Sequence, residues 1–217
     1  MENPTFIYGI GKNYADHTAE MGELKPSGLI VFAKNPGSII QNGEPIIIPR
    51  CCKDELDFEG ELAVRINANC KNISADKAHQ YIDGYAAAND VTARRWQKEL
   101  NGGQWLMGKG FDTFCPLSKF VKAEKVKNPD QLSIKTFLND AIMQESNTKN
   151  MIRNIPTLIA ELSQGTTLRK GCIILTGTPG GVGHARTPRI FLKPGDIVRV
   201  EIESVGILIN QVQGENI

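Results

Sequence analysis

Apolar residues along this chain come in many short runs, several alternating with polar positions at a period of two, and glycines and prolines interrupt them throughout. That pattern predicts short strands joined by tight turns. Candidate strands fall at residues 29–33, 45–48, 61–66, 132–138, 173–176 and 197–203, and in the last Val198, Val200 and Ile202 share one face. Helices are fewer, expected at 16–21, 75–82, 92–100 and 151–162. The last is the clearest: Ile152, Ile155, Ile159 and Leu162 recur at helical spacing, and Gly165 stands where a C-terminal cap belongs. Lys193, Pro194, Gly195 and Asp196 read as a turn into the final strand, and Gly206 with Asn210 as a closing hairpin. The expectation is an α+β, mainly β chain. It reads as one domain over 1–217, within which residues 1–45 have a different texture and suggest an N-terminal lid or subdomain.

Charge narrows the partners. With 25 basic and 24 acidic residues the formal net charge is +1, so no global field recruits nucleic acid or an anionic membrane. No apolar run approaches the roughly 18 residues of a spanning helix. Residues 1–14 lack the basic flank and apolar core of a secretory signal, which points to the cytoplasm. The five cysteines form no C-x-x-C pair and read as reduced thiols. A small-molecule ligand is favoured.

The sharpest chemical signal is Asp57-Phe58-Glu59-Gly60-Glu61-Leu62, which places Glu59 and Glu61 two apart at the entrance of a strand. Positions i and i+2 share a face, so the carboxylates repel one another unless a cation lies between them or water solvates them. Asp90 follows the small, apolar run Gly84-Tyr85-Ala86-Ala87-Ala88, an unfavourable place for an unpartnered charge. Three carboxylates make a hard oxygen site, suited to Mg²⁺ or Mn²⁺, with Ca²⁺ ranked behind them, rather than to zinc.

His17 and Glu20, three apart, would touch on a helical turn, as a general-base pair or as a surface ion pair. Arg94, Gln97 and Lys109 follow Asp90. Lys109, in a glycine-flanked apolar setting, needs an anion: a substrate carboxylate, or an internal pair with Asp112 or Glu99. The glycine-rich loop 176–183 lacks the Lys-Ser/Thr ending of a phosphate loop, and a turn that brings amides and hydroxyls near a ligand accounts for its glycines. His79 and His184 read as structural or surface residues.

These stretches resemble the fumarylacetoacetate hydrolase family. The resemblance is carried in order by Gly11-Lys12-Asn13-Tyr14-Ala15-Asp16-His17, Phe32-Ala33-Lys34, residues 59–64, Asn89-Asp90-Val91-Thr92-Ala93-Arg94, residues 108–112, and Gln144 with Asn147-Thr148. It continues through residues 176–179, Leu192-Lys193-Pro194-Gly195-Asp196 and residues 206–210. It implies a mixed β-sandwich roll with a few short helices, a homodimer, Glu59, Glu61 and Asp90 as metal ligands, and His17 and Glu20 as a dyad carried on a lid. It also implies that Arg94, Gln97, Lys109 and Thr178 hold the substrate's carboxylate and oxo groups.

The acylpyruvase and oxaloacetate decarboxylase subgroup is the most similar. The reaction so implied is metal-dependent hydrolysis of the C–C bond of a 2,4-dioxo acid through a pyruvate-type enolate. Decarboxylation or tautomerisation of oxaloacetate, or isomerisation of an oxo-diacid, would use the same site. A noncatalytic, metal-stabilised binding protein is the alternative from another class.

Overall fold

Two neighbouring strands, Gly60–Ile66 and Ile82–Asn89, set the centre of the fold, because their alternation gives each a face toward either side of one sheet. The computed structural model describes residues 4–20, 22, 26–52 and 55–215. In chain order the strands are β1 (Ile7–Gly11), β2 (Ile30–Lys34), β3 (Ile39–Gln41), β4 (Ile46–Ile48), β5 (Leu56–Asp57), β6 (Gly60–Ile66), β7 (Ile82–Asn89), β8 (Thr92–Ala93), β9 (Cys115–Leu117), β10 (Val121–Lys122), β11 (Ser133–Leu138), β12 (Ala141–Asn147), β13 (Ile173–Leu175), β14 (Ile197–Ile202) and β15 (Gly206–Gly214). The α-helices are α1 (Ala15–Glu20), α2 (Arg94–Lys98), α3 (Trp105–Lys109) and α4 (Ile155–Leu162).

The larger sheet runs β2-β1-β13-β6-β7-β9-β3, with β10 also on β7; the smaller runs β12-β11-β14-β15-β4, and β5 pairs with β8 alone. Both larger sheets are mixed: β1–β13, β3–β9 and β15–β4 are parallel pairs. Leu62, Val64, Ile66, Tyr85 and Ala87 meet Ile134, Val200, Ile202 and Leu208 between the sheets, with Ile155, Leu158, Ile159 and Leu162 of α4 closing that core. Each such Val, Leu or Ile side chain contributes about 1.5–3 kcal/mol by leaving water. On the far face of the larger sheet Ala63, Ala86, Ala88, Leu117, Ile173 and Leu175 form a separate apolar cluster. Small residues there let the chain pack closely: a Cβ at Gly84 would stand 2.2 Å from the Val121 carbonyl oxygen. The fold is thus α+β and mainly β, a roll of strands with few short helices.

Several expected elements differ. The helix expected at 151–162 begins at Ile155, because the Asn154 side chain accepts the Thr157 amide and Pro156 occupies the first turn. Residues 75–82 form a 3₁₀ helix, Ala75–Tyr81, that runs directly into β7. Thr92 and Ala93, expected to be helical, pair with β5 instead, so α2 starts at Arg94. The helix expected at 16–21 is α1, and Met21 lies outside the described residues. Residues 206–210 do close a hairpin, yet Asn210 lies within β15 and binds the Gln41 and Glu44 carbonyls rather than forming the turn. Within 1–45, β1, β2 and β3 belong to the larger sheet.

Candidate active site

The register of β6 and β7 brings the acidic residues together. Gly60 faces Asn89, and beyond that pair the Asp90 amide donates to the Glu59 carbonyl at 2.8 Å. Glu59, Glu61 and Asp90 therefore project from one face, buried, each offering an oxygen within 4.8 Å of the others. Gly60 between them cannot be larger, since a Cβ would stand 2.0 Å from the Thr136 hydroxyl.

Cations reach two of the three directly. Lys109 Nζ donates to Glu59 Oε2 at 2.8 Å, Asp90 Oδ2 at 2.5 Å and the Thr92 hydroxyl at 2.8 Å. Lys34 Nζ donates to Asp90 Oδ1 at 2.6 Å and to the Lys109 carbonyl. Arg94 Nη2 lies 2.7 Å from both Glu59 Oε1 and Asp57 Oδ2. Burial raises the Glu59 pKa, but the charges of Lys109 and Arg94 outweigh it and hold the carboxyl at about 2. Glu61 goes the other way: burial, then the repulsion of Asp90 and Glu59, push it well above the usual carboxylate range, although the Gly177 amide donates to it at 2.7 Å. A compact, oxygen-only donor set with one carboxylate under such repulsion fits a hard divalent cation, whose charge would relieve it.

The dyad residues also meet. His17 Nδ1 is 2.8 Å from Glu20 Oε1 on α1, and Glu20 Oε2 accepts the Gly181 amide at 2.6 Å. The loop after β13 supplies more: Thr178 donates to the Gly60 carbonyl at 3.0 Å and accepts from Gln144 Nε2 at 2.7 Å. A cavity of about 320 Å³ is lined by His17, Glu59, Glu61, Arg94, Gln97, Lys109 and Thr178, with Phe32 and Trp105 as an aromatic wall. Of the residues expected to act, Glu20 supports His17 from behind, and Asp90 lies under Lys109 and Lys34.

Three features escaped the sequence. Lys109 finds its anions in Glu59 and Asp90, not in the expected substrate carboxylate, Asp112 or Glu99. Asp57 had no role assigned, yet it is fully buried, holds Arg94, and accepts the amides of Phe58, Gly183 and His184 at 2.8–2.9 Å. Lys34, a lysine closing an apolar strand, was the visible sign of a buried anion nearby.

Fold and site together define a β-roll protein built round a buried carboxylate cleft with a histidine at its edge. The model of the Fumarylacetoacetate (FAA) hydrolase C-terminal domain matches residues 6–213, and the chain belongs to the fumarylacetoacetate hydrolase family. It is 44% identical over 211 residues to "Oxaloacetate tautomerase fahd2, mitochondrial" of Xenopus laevis, covering 97% of this chain and 66% of that protein. It thus spans just under two thirds of that relative.

Two solved structures are similar over nearly the whole chain. The 5-carboxymethyl-2-hydroxymuconate delta-isomerase of Mycobacterium smegmatis superposes with a TM-score of 0.87 at 36% identity, over 99% of this chain and 81% of its own. The fumarylacetoacetate hydrolase of psychrophilic Exiguobacterium antarcticum gives 0.89 at 37%, over 98% and 76%. The Xenopus relative is named mitochondrial, where the sequence pointed to the cytoplasm. Among the described residues no helix is long and apolar enough to cross a membrane.

Proposed function

We propose that this chain catalyses proton transfer at the carbon next to the oxo group of a small 2-oxo acid, as a keto–enol tautomerase of oxaloacetate or a closely similar diacid. The observation that carries the reading is the His17–Glu20 pair, 2.8 Å apart, at the wall of a cavity whose floor is Glu59 and Glu61. The names of the tautomerase and isomerase relatives support it, since both reactions move protons without breaking a carbon–carbon bond.

Glu59, Glu61 and Asp90 would hold a divalent cation, Mg²⁺ or Mn²⁺, which as a Lewis acid would acidify the carbon next to a coordinated oxo group. Arg94, Gln97 and Thr178 bind the substrate carboxylate and fix the chain in the cavity. Lys109, already charged and dehydrated, offsets negative charge as the enolate oxygen develops. His17 Nε2 takes the proton from carbon and returns it to oxygen, while Glu20 holds the ring through Nδ1 and offsets the positive charge it acquires. Phe32 and Trp105 limit access of water to the reacting face.

Hydrolysis of a 2,4-dioxo acid is the second reading, favoured by the similarity to the Exiguobacterium hydrolase; there His17 would activate a water. A homodimer belongs to the proposal and is checked by light scattering. Five free thiols fit a reducing compartment, the expected cytoplasm or a mitochondrial setting alike.

The test follows enol absorbance of oxaloacetate with chelator-stripped protein, with and without Mg²⁺ or Mn²⁺, and acetylpyruvate in parallel. Metal-dependent acceleration of keto–enol exchange above buffer supports the proposal. Pyruvate release from acetylpyruvate alone would transfer the assignment to hydrolysis, carbon dioxide release to decarboxylation, and no turnover of either substrate would leave a binding protein.

A further inference from the structure

We propose that the adjacent thiols of Cys51 and Cys52 form a vicinal dithiol site for a soft, thiophilic centre, namely a trivalent arsenical carrying one organic group. The pair lies in a 3₁₀ turn, Arg50–Cys52, closed by the Cys52 amide on the Pro49 carbonyl at 2.9 Å. Cys51 is exposed, Cys52 is buried, and their Sγ atoms are 3.6 Å apart. A soft centre bonds thiolate sulfur at about 2.3 Å, so two sulfurs on one pyramidal or tetrahedral centre stand roughly 3.4–3.8 Å apart. The pair already has that spacing. A disulfide would instead require closure to about 2.05 Å.

A second observation points to a ligand here. Glu55, only 6% exposed, binds the Arg95 amide through Oε2 at 2.9 Å, while its buried Oε1 has no hydrogen-bond partner among the described residues. Burial, then the Cys51 thiol and to a lesser degree the Glu55 charge, push the Cys52 thiol up and keep it protonated. This unspent buried acceptor, whose charge acts on Cys52, can take up the thiol proton as sulfur binds arsenic. Cys70, Cys115 and Cys172 are buried elsewhere in the core and offer no exposed sulfur.

The reaction needs no oxidant. An organoarsenic(III) dihydroxide meets two thiols; two As–S bonds form, two As–O and two S–H bonds break, and the protons leave with the hydroxyls as two waters. Arsenic stays trivalent. The turn also contacts α2, because Trp96 Nε1 donates to the Cys51 carbonyl at 3.3 Å and Trp96 lies on α2 with Arg94.

The experiment treats the full chain with phenylarsine oxide, which hydrates to the dihydroxide, and reads intact mass, thiols and tryptophan fluorescence. Expected are one adduct per chain, loss of two of five thiols, a fluorescence change at Trp96, and an adduct that resists excess monothiol but is removed by a small 1,2-dithiol. The exposed substitution Cys51→Ser and the buried, apolar Cys52→Ala should each abolish the monothiol-resistant adduct. Retention of that adduct in either variant, or its removal by monothiol in the unaltered protein, overturns the proposal. No reading depends on turnover.

Discussion

The Gly181 amide holds Glu20 at 2.6 Å, and through Glu20 it fixes the direction in which His17 faces the cleft. Replacing His17 with Ala removes the proton carrier, and kcat on oxaloacetate should fall on the order of 10²–10⁴-fold. Glu20→Gln keeps a side chain of the same shape without its charge, and should lower kcat about 10–100-fold with little change in KM. Steady-state kinetics beside an unchanged circular dichroism spectrum would check both; a matching rise in KM would assign Glu20 to binding instead.

Gly181 itself has φ +104°, and a Cβ there would stand 2.1 Å from the Met143 carbonyl oxygen. Gly181→Ala should therefore cost on the order of 2 kcal/mol, from backbone strain and displacement of β12. Activity should fall with it, since the Glu20 anchor moves. Urea unfolding and turnover measure the two effects.

Lys109→Met keeps the length of the side chain and removes the charge shared by Glu59 and Asp90. Breaking buried pairs of this kind costs about 3–5 kcal/mol, and the remaining Lys34 and Arg94 put the expected loss near the lower end of that range. Melting with and without Mn²⁺ is the check: a divalent cation should recover part of the lost Tm in the variant.

For the unaltered protein, Mg²⁺ or Mn²⁺ at 100 times its dissociation constant should add about 2.7 kcal/mol. Glu61→Gln, which relieves the carboxylate repulsion, should raise Tm in chelator and shrink the metal-induced rise. An equal rise in both proteins would remove Glu61 from the ligand set.

His184 titrates at about 4, below its ordinary 6.5, because burial and the nearby Lys98, Arg94 and Arg189 charges oppose protonation. Between those values the unfolded chain binds a proton that the folded chain does not, so this residue's contribution is present above pH 6.5 and lost as pH falls toward 4. His184→Asn should therefore lose less Tm than the unaltered protein between pH 7.5 and pH 5.

The acidic cluster was legible because its cues were local: Glu59 and Glu61 two apart on a strand, and Asp90 at the end of an apolar run. Lys109's partners were not, since they come from 50 and 19 residues away and only the β6–β7 register brings them in. Asp57 looked like any acidic residue beside a strand; its weight comes from amides 126 and 127 positions later. Strand β7 was hidden by its Gly84 to Ala88 run, whose small residues have poor strand propensity and are there because neighbours press close on both faces. Pattern shows which face is buried but not which distant backbone comes to cover it.

The loop after β13 gives its Gly177 amide to Glu61, its Gly181 amide to Glu20, and the Gly183 and His184 amides to Asp57. Glycine-rich backbone of this sort often receives an anion from solution, but here the anions are the protein's own, delivered by three separate segments. The loop works as a jig, clamping the carboxylate cluster, the His17–Glu20 pair and the anchor of Arg94 to one short piece of chain. Insertions or deletions there should be far less tolerated than in other loops, because no one of the three could be retuned without misaligning the other two.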